Sequence, residues 1–122
     1  MPTALVVDDS RAIRMILART LRELGYEVRE AGNGIDALAA LSAGPPTDLV
    51  MADWNMPVMD GLEFLKSLRR EFGPGNPLVL FCTTENDLSH IEQAIEHGAQ
   101  EFIMKPFDEE ILVSKFSQVG LL

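Results

Sequence analysis

Three carboxylates stand where apolar runs stop. Asp8 and Asp9 follow "TALVV", and Asp53 follows "DLVMA". Two further polar residues sit in the same way: Thr83 after "PLVLFC" and Lys105 after "EFIM". If these runs are neighbouring parallel strands, all five groups meet at one rim. Three carboxylates packed together repel, at about 3 kcal/mol per pair for a separation of ~5 Å and an effective dielectric near 20. A single lysine offsets only part of that. A divalent cation would cancel most of the rest, and a donor set of oxygens without His or Cys points to Mg²⁺, with Mn²⁺ as the alternative. Such a rim suits phosphoryl transfer, which asks mainly for in-line positioning and neutralisation of the phosphoryl oxygens. A carboxylate can itself be the nucleophile and form an acyl phosphate. Asp53 is the natural acceptor, alone at its strand end and followed by the loop "WNMPVMDG".

The elements that must position these groups are legible as alternating patterns. Strands are predicted over 3–8, 26–31, 48–53, 77–83 and 101–105. The first, third and fourth are continuously apolar, as expected of strands covered on both faces. The second alternates, Tyr26 and Val28 against Glu27 and Arg29, which suits an edge. Between them, helical spacing recurs. Ile13, Ile16, Leu17, Leu21 and Leu24 follow Ser10, an N-cap residue, and precede Gly25. Ile35, Leu38 and Leu41 mark a second helix before "AGPP". Leu62, Leu65, Leu68 and Phe72 mark a third before "GPGNP". Ile91, Ala94 and Ile95 mark a fourth that stops at Gly98, and Leu112, Phe116 and Val119 mark a fifth. Strand and helix repeated in this way predict an α/β fold, a doubly wound five-stranded parallel sheet with helices on both faces. Right-handed crossovers then bring every strand's C-terminal end to one edge, where ligands bind in such folds.

The totals narrow the function. A chain of 122 residues with 47% hydrophobic content supports one domain with a core of its own. One cysteine, Cys82, excludes an internal disulfide and a multi-cysteine zinc site. The formal net charge of −9 disfavours nucleic acid and anionic membrane as partners. The N-terminus has no basic flank, and no run approaches the ~20 apolar residues of a membrane span. A cytoplasmic protein is therefore expected.

At these same residues the chain resembles a known family. The acid pair in "VVDD", the "DWNMPVMDG" loop, Thr83 in "CTTE" and "KPF" at 105–107 are similar to the receiver domain of two-component response regulators, of the chemotaxis type. The likeness runs from about residue 3 to the last helix, so 1–122 is read as a single receiver domain. It implies the strand order 2-1-3-4-5. It implies phosphorylation at Asp53 and a metal held by Asp8, Asp9, Asp53 and the Asn55 backbone carbonyl. Thr83, Lys105 and the Thr84 backbone would contact the phosphoryl group. The Lys105–Pro106 bond would be cis, and Thr83 and Phe102 would form the switch. The implied partners are a sensor histidine kinase or histidine phosphotransfer protein and an output protein, such as a flagellar motor switch. The latter would bind a face made by helix four, strand five and helix five. A monomer is expected, catalysing only its own phosphorylation and dephosphorylation. Two positions depart from the usual pattern. Phe102 lacks the hydroxyl of the tyrosine common there, and Thr84 is bulkier than the usual small residue, which would slow phosphorylation and hydrolysis.

Other readings stand beside this one. Within the class, the chain would be a phosphorelay intermediate or a phosphate sink. A phosphate-independent scaffold would not need the complete set of groups. An aspartyl phosphohydrolase would want D-x-D after the first strand and a cap domain, and the chain has adjacent D-D. A nucleotide fold lacks its glycine-rich loop. Taken alone, Asp8–Asp9 is an ordinary turn pair. The Arg11, Arg14, Arg19 and Arg22 series is either a solvated helix face or a kinase-docking surface. Cys82 reads as core filling and Met56 and Met59 as loop packing. His90 and His97 carry no chemistry, and Trp54 reads as a partly exposed fluorescence reporter.

Overall fold

The computed structural model describes residues 2–84, 90–118 and 120. Five strands run in the order β2-β1-β3-β4-β5, and every neighbouring pair is parallel. The strands are β1 (Thr3–Val7), β2 (Glu27–Ala31), β3 (Leu49–Asp53), β4 (Leu78–Thr83) and β5 (Glu101–Met104). The helices are α1 (Arg11–Glu23), α2 (Gly34–Ala43), α3 (Gly61–Phe72), α4 (Ile91–Glu96) and α5 (Glu109–Gln118). Val119, read as part of the last helix, lies outside the described residues, as does Glu85 of the "CTTE" stretch.

The sheet divides the core in two. Leu5, Val7, Val50, Ala52, Val79 and Phe81 point to one face and pack with α2, α3 and α4 through Ala37, Leu41, Phe64, Leu65, Leu68 and Ala94. Ala4, Val6, Leu49, Met51, Leu80 and Cys82 point to the other and pack with α1 and α5 through Leu17, Leu21, Leu112 and Phe116. Successive residues of one strand therefore enter opposite cores, which is why β1, β3 and β4 read as unbroken apolar runs. β2, with its alternating charges, is an edge as its pattern predicts.

Helix starts follow local chemistry. The Ser10 hydroxyl accepts from the Ile13 N–H at 3.3 Å, Asn33 Oδ1 from Asp36 N–H at 2.8 Å, and Asp60 Oδ1 from Glu63 N–H at 2.9 Å. The helical periodicity overstates burial at some positions. Ile35 is 51% exposed and Ile16 49%, because α2 and α1 each turn only a narrow stripe toward the sheet.

Gly61, at the start of α3, admits a large ring. A Cβ there would lie 2.7 Å from Trp54 Cε3 and 3.1 Å from Phe81 Cε1. Trp54 meets Phe81 edge-to-face at 5.0 Å between ring centroids. The indole is buried at 7% exposure, which corrects the expectation of a partly exposed residue. Gly61→Ala should therefore cost about 1–3 kcal/mol by overpacking. It should also move Trp54 emission to longer wavelength. Urea unfolding and the emission spectrum check both, and an unshifted spectrum with unchanged stability would contradict this packing.

Candidate functional site

The C-terminal edge of the sheet brings together the groups singled out in the sequence. Asp8 and Lys105 fall one residue past their strands, yet the main-chain bonding continues to each. The Asp8 N–H donates to the Ala31 carbonyl at 3.1 Å, and the Lys105 N–H donates to the Thr83 carbonyl at 2.7 Å. Their side chains are thus aimed with nearly the rigidity of the sheet. One carboxylate oxygen each from Asp8, Asp9 and Asp53 lies within 4.8 Å of the others. Lys105 Nζ stands 3.4 Å from Asp8 Oδ2 and 3.3 Å from Asp53 Oδ1.

The acids differ in setting. Asp8 is buried, and its Oδ1 accepts from the Ser10 N–H at 2.8 Å. Asp9 is exposed. The Asp53 side chain is 12% exposed and accepts from the Asn55 N–H at 3.3 Å through Oδ1. Burial raises the Asp53 pKa above the ordinary value. Lys105 pulls it down, the Asp8 charge pushes it up, and the net direction is upward. For Lys105, burial favours discharge, but Asp53 and Asp8 together outweigh it and lift the ammonium above the usual lysine value. The lysine therefore stays charged.

Thr83 is buried at the end of β4, with its hydroxyl donating to the Thr84 carbonyl at 3.3 Å. Thr84 and Lys105 border an apolar hollow with Ile13, Ile16, Leu17, Pro106 and Phe107. The Lys105–Pro106 peptide is cis. Phe102 is set apart from the carboxylates, half-buried on β5, with Lys115 Nζ 5.6 Å from its ring centroid. In the loop after Asp53, Val58 adopts φ 73°, a left-handed conformation uncommon for a β-branched residue. The Met59 N–H donates across it to the Pro57 carbonyl at 2.7 Å.

Sequence reasoning did not place two contacts. Arg14 donates from a terminal guanidinium nitrogen (Nη1) to the Asp8 carbonyl at 2.6 Å and from Nε to Glu30 at 3.2 Å. It braces the turn that carries the acid pair, and spacing along α1 gives no sign of this. His90 stacks on Trp54, with centroids 6.4 Å apart and rings at 17°, so it borders the residue beside Asp53. Cys82 is fully buried and its thiol is pushed up to about 12 by burial, consistent with core filling.

Three converging oxygen donors with no nitrogen or sulfur among them fit a hard divalent ion. Without such an ion the notch is anionic and Asp53 is charged at a cost. Its folded-state pKa lies above the unfolded value, so the folded chain holds that proton more tightly. Stability must fall as pH climbs from the ordinary carboxylate range through the raised value. Asp53→Asn should therefore raise stability at neutral pH in metal-free buffer by roughly 1 kcal/mol, a Tm increase of about 3–6 °C. Mg²⁺ should raise the Tm of the parent protein and act more weakly on the variant. Thermal melts with chelator and with Mg²⁺ read both effects, and a variant less stable than the parent would contradict the electrostatics described here.

Comparison with known proteins agrees with this geometry. The family model of the response regulator receiver domain matches residues 4–117. Chemotaxis protein CheY1 of Helicobacter pylori is 38% identical over 116 residues, covering 94% of each chain. A chemotaxis protein CheY homolog of Campylobacter jejuni is 36% identical over 116 residues, 94% of this chain and 89% of that one. Among solved structures, chemotaxis protein CheY4 of Vibrio cholerae superposes with a TM-score of 0.87 at 36% identity, with 98% of each chain covered. The chain belongs to the response regulator receiver domain family.

Proposed function

We propose that this chain is a phosphorylation-controlled signalling protein of chemotaxis or motility, a single receiver domain that takes a phosphoryl group on Asp53 from a phosphohistidine. Phosphoryl acceptance is the general function of its family. The observation that carries the assignment here is the convergence of Asp8, Asp9 and Asp53 around the Lys105 ammonium. The chemotaxis context rests on the relatives that bear that name. The donor would be a sensor histidine kinase or histidine phosphotransfer protein.

In this reading an Asp53 carboxylate oxygen attacks phosphorus in line. The new P–O bond forms as the donor's P–N bond breaks, and the electron pair leaves with the imidazole nitrogen. Asp8, Asp9 and Asp53, with the Asn55 carbonyl, would hold Mg²⁺, which supplies positive charge to the phosphoryl oxygens. Lys105 supplies a second charge from the opposite side, trading its contact with Asp53 for one with the phosphoryl group. The Thr83 hydroxyl and the Thr84 N–H supply hydrogen bonds. Once modified, Asp53 draws Thr83 toward it, Phe102 follows, and the α4–β5–α5 face changes its affinity for an output protein. This is a shift between two states driven by contacts that only the phosphorylated form makes.

With Mg²⁺ and a small acyl phosphate as donor, intact-mass analysis should show one added phosphoryl unit, absent in Asp53→Asn. An adduct that survives that substitution would overturn the assignment. Thr84 borders a hollow beside Lys105, and in this reading its β-branched side chain would narrow the approach to Asp53. Thr84→Ala should raise both phosphorylation and dephosphorylation rates several-fold, a barrier change on the order of 1 kcal/mol. Equal rates in stopped-flow and phosphate-release assays would remove Thr84 from the mechanism.

A further inference from the structure

The loop between β3 and α3 contains a residue whose conformation is costly and whose side chain does nothing to offset the cost. Val58 has φ 73°, and among the described residues it is the one non-glycine with a positive φ. The Met59 N–H donates to the Pro57 carbonyl at 2.7 Å, so Val58 is the centre of a γ-turn. With positive φ this is the rarer, strained form of that turn. A branched Cβ makes it harder still to adopt. The isopropyl group finds little packing to compensate, since Val58 is 75% exposed. The strain is therefore imposed by what stands on either side of the residue.

Both flanks are anchored. Trp54 is bonded through its N–H to the Cys82 carbonyl and through its own carbonyl to the Gly61 N–H. Met56 is buried, and the ring of Pro57 fixes its own φ. Beyond the turn, Met59 packs against the start of α2, so closely that a Cβ at Gly34 would lie 3.0 Å from its Sδ. Asp60 then caps α3, accepting from the Glu63 N–H at 2.9 Å. Asn55 lies inside this bracket, exposed, with its N–H on Asp53 Oδ1. Val58 is the joint that these anchors leave open. For valine the positive-φ well is narrow, and the way out, to negative φ, would carry Met59 off its seat at Gly34. For glycine a wide range of positive φ is open.

We propose that Val58 is a positioning residue for the divalent ion, its strained turn stiffening the 54–60 segment so that Asn55 is held beside the acid notch in one conformation before the ion arrives. The ion then binds without first having to order the loop, because that entropy is already lost in the fold. Stability is given up at Val58 in exchange for affinity at the notch, a common trade at functional sites. The inference rests on the reading of the Asn55 carbonyl as a metal ligand, and adds what holds that ligand in place.

The test uses the full chain, stripped of metal and titrated with Mg²⁺. Trp54 emission and the Mg²⁺-dependent rise in Tm read the affinity, and urea unfolding in chelator reads the stability. Val58→Gly should resist urea better than the parent and yet bind Mg²⁺ about tenfold more weakly. Val58→Thr keeps the branched Cβ and should keep the parent's affinity. Gly34→Ala leaves Val58 in place but crowds Met59, and should weaken Mg²⁺ binding from outside the turn. Equal affinity in the parent and Val58→Gly would overturn the inference and leave the metal site standing. A glycine variant that loses stability and affinity together would also overturn it, by making Val58 an ordinary structural residue. A parent indifferent to Mg²⁺ would remove the metal site itself, and the inference with it.

Discussion

Like charges held closer than they would choose are the constraint on which the rest of this structure turns. Asp8, Asp9 and Asp53 share one notch, and among the described residues the Lys105 ammonium is the cation paired with them. Such an arrangement is costly in a fold of ordinary stability. It persists because main-chain bonding fixes the acids and the lysine independently of one another. β1 and β3 are committed by apolar burial on both faces of the sheet, and β5 by its pairing with β4, so local repulsion cannot move one acid without breaking a ladder. The cost is met by packing elsewhere, and added positive charge in the notch would relieve it.

The same rigidity organises the neighbourhood of Asp53. Its successor, Trp54, donates its N–H to the Cys82 carbonyl at 2.9 Å, and the Gly61 N–H returns to the Trp54 carbonyl at 3.1 Å. The loop that follows Asp53 is thus tied both to β4 and to the start of α3. Phe81 and His90 flank the indole, which couples the end of β3 to the start of α4 through contacts of rings rather than of charges. Arg14 performs a comparable service for Asp8 from α1.

Much of this was legible because it depends on periodicity. Unbroken apolar runs announced β1, β3 and β4, and alternation announced the edge at β2. The polar residues that end those runs then had to converge, since parallel strands share a C-terminal edge. Strand limits were read one residue long at Asp8 and Lys105 for an intelligible reason: their N–H groups still bond across the sheet although their side chains have left it. Other features depend on partners distant in sequence. Trp54 is buried only because Gly61 and Phe81 make room for it, and nothing in "DWNMP" carries that information. Arg14 belongs to a series of four arginines that spacing cannot tell apart, and only the fold shows which one reaches the Asp8 carbonyl. Ile35 and Ile95 fit their helical stripes yet remain at the surface, since a pattern gives the face of a helix and not the width of what covers it.

The edges of the sheet carry one more implication. β2 presents Glu27, Arg29 and Glu30 along its length, and β5 is four residues long and begins at Glu101. A foreign strand added to either margin would trap ionised groups at the seam or gain too few main-chain bonds to hold. Growth by strand addition, the route to aggregates, is thereby discouraged at both ends. Contact with a companion through side chains, which can be made and undone, is then favoured over pairing with a free strand edge.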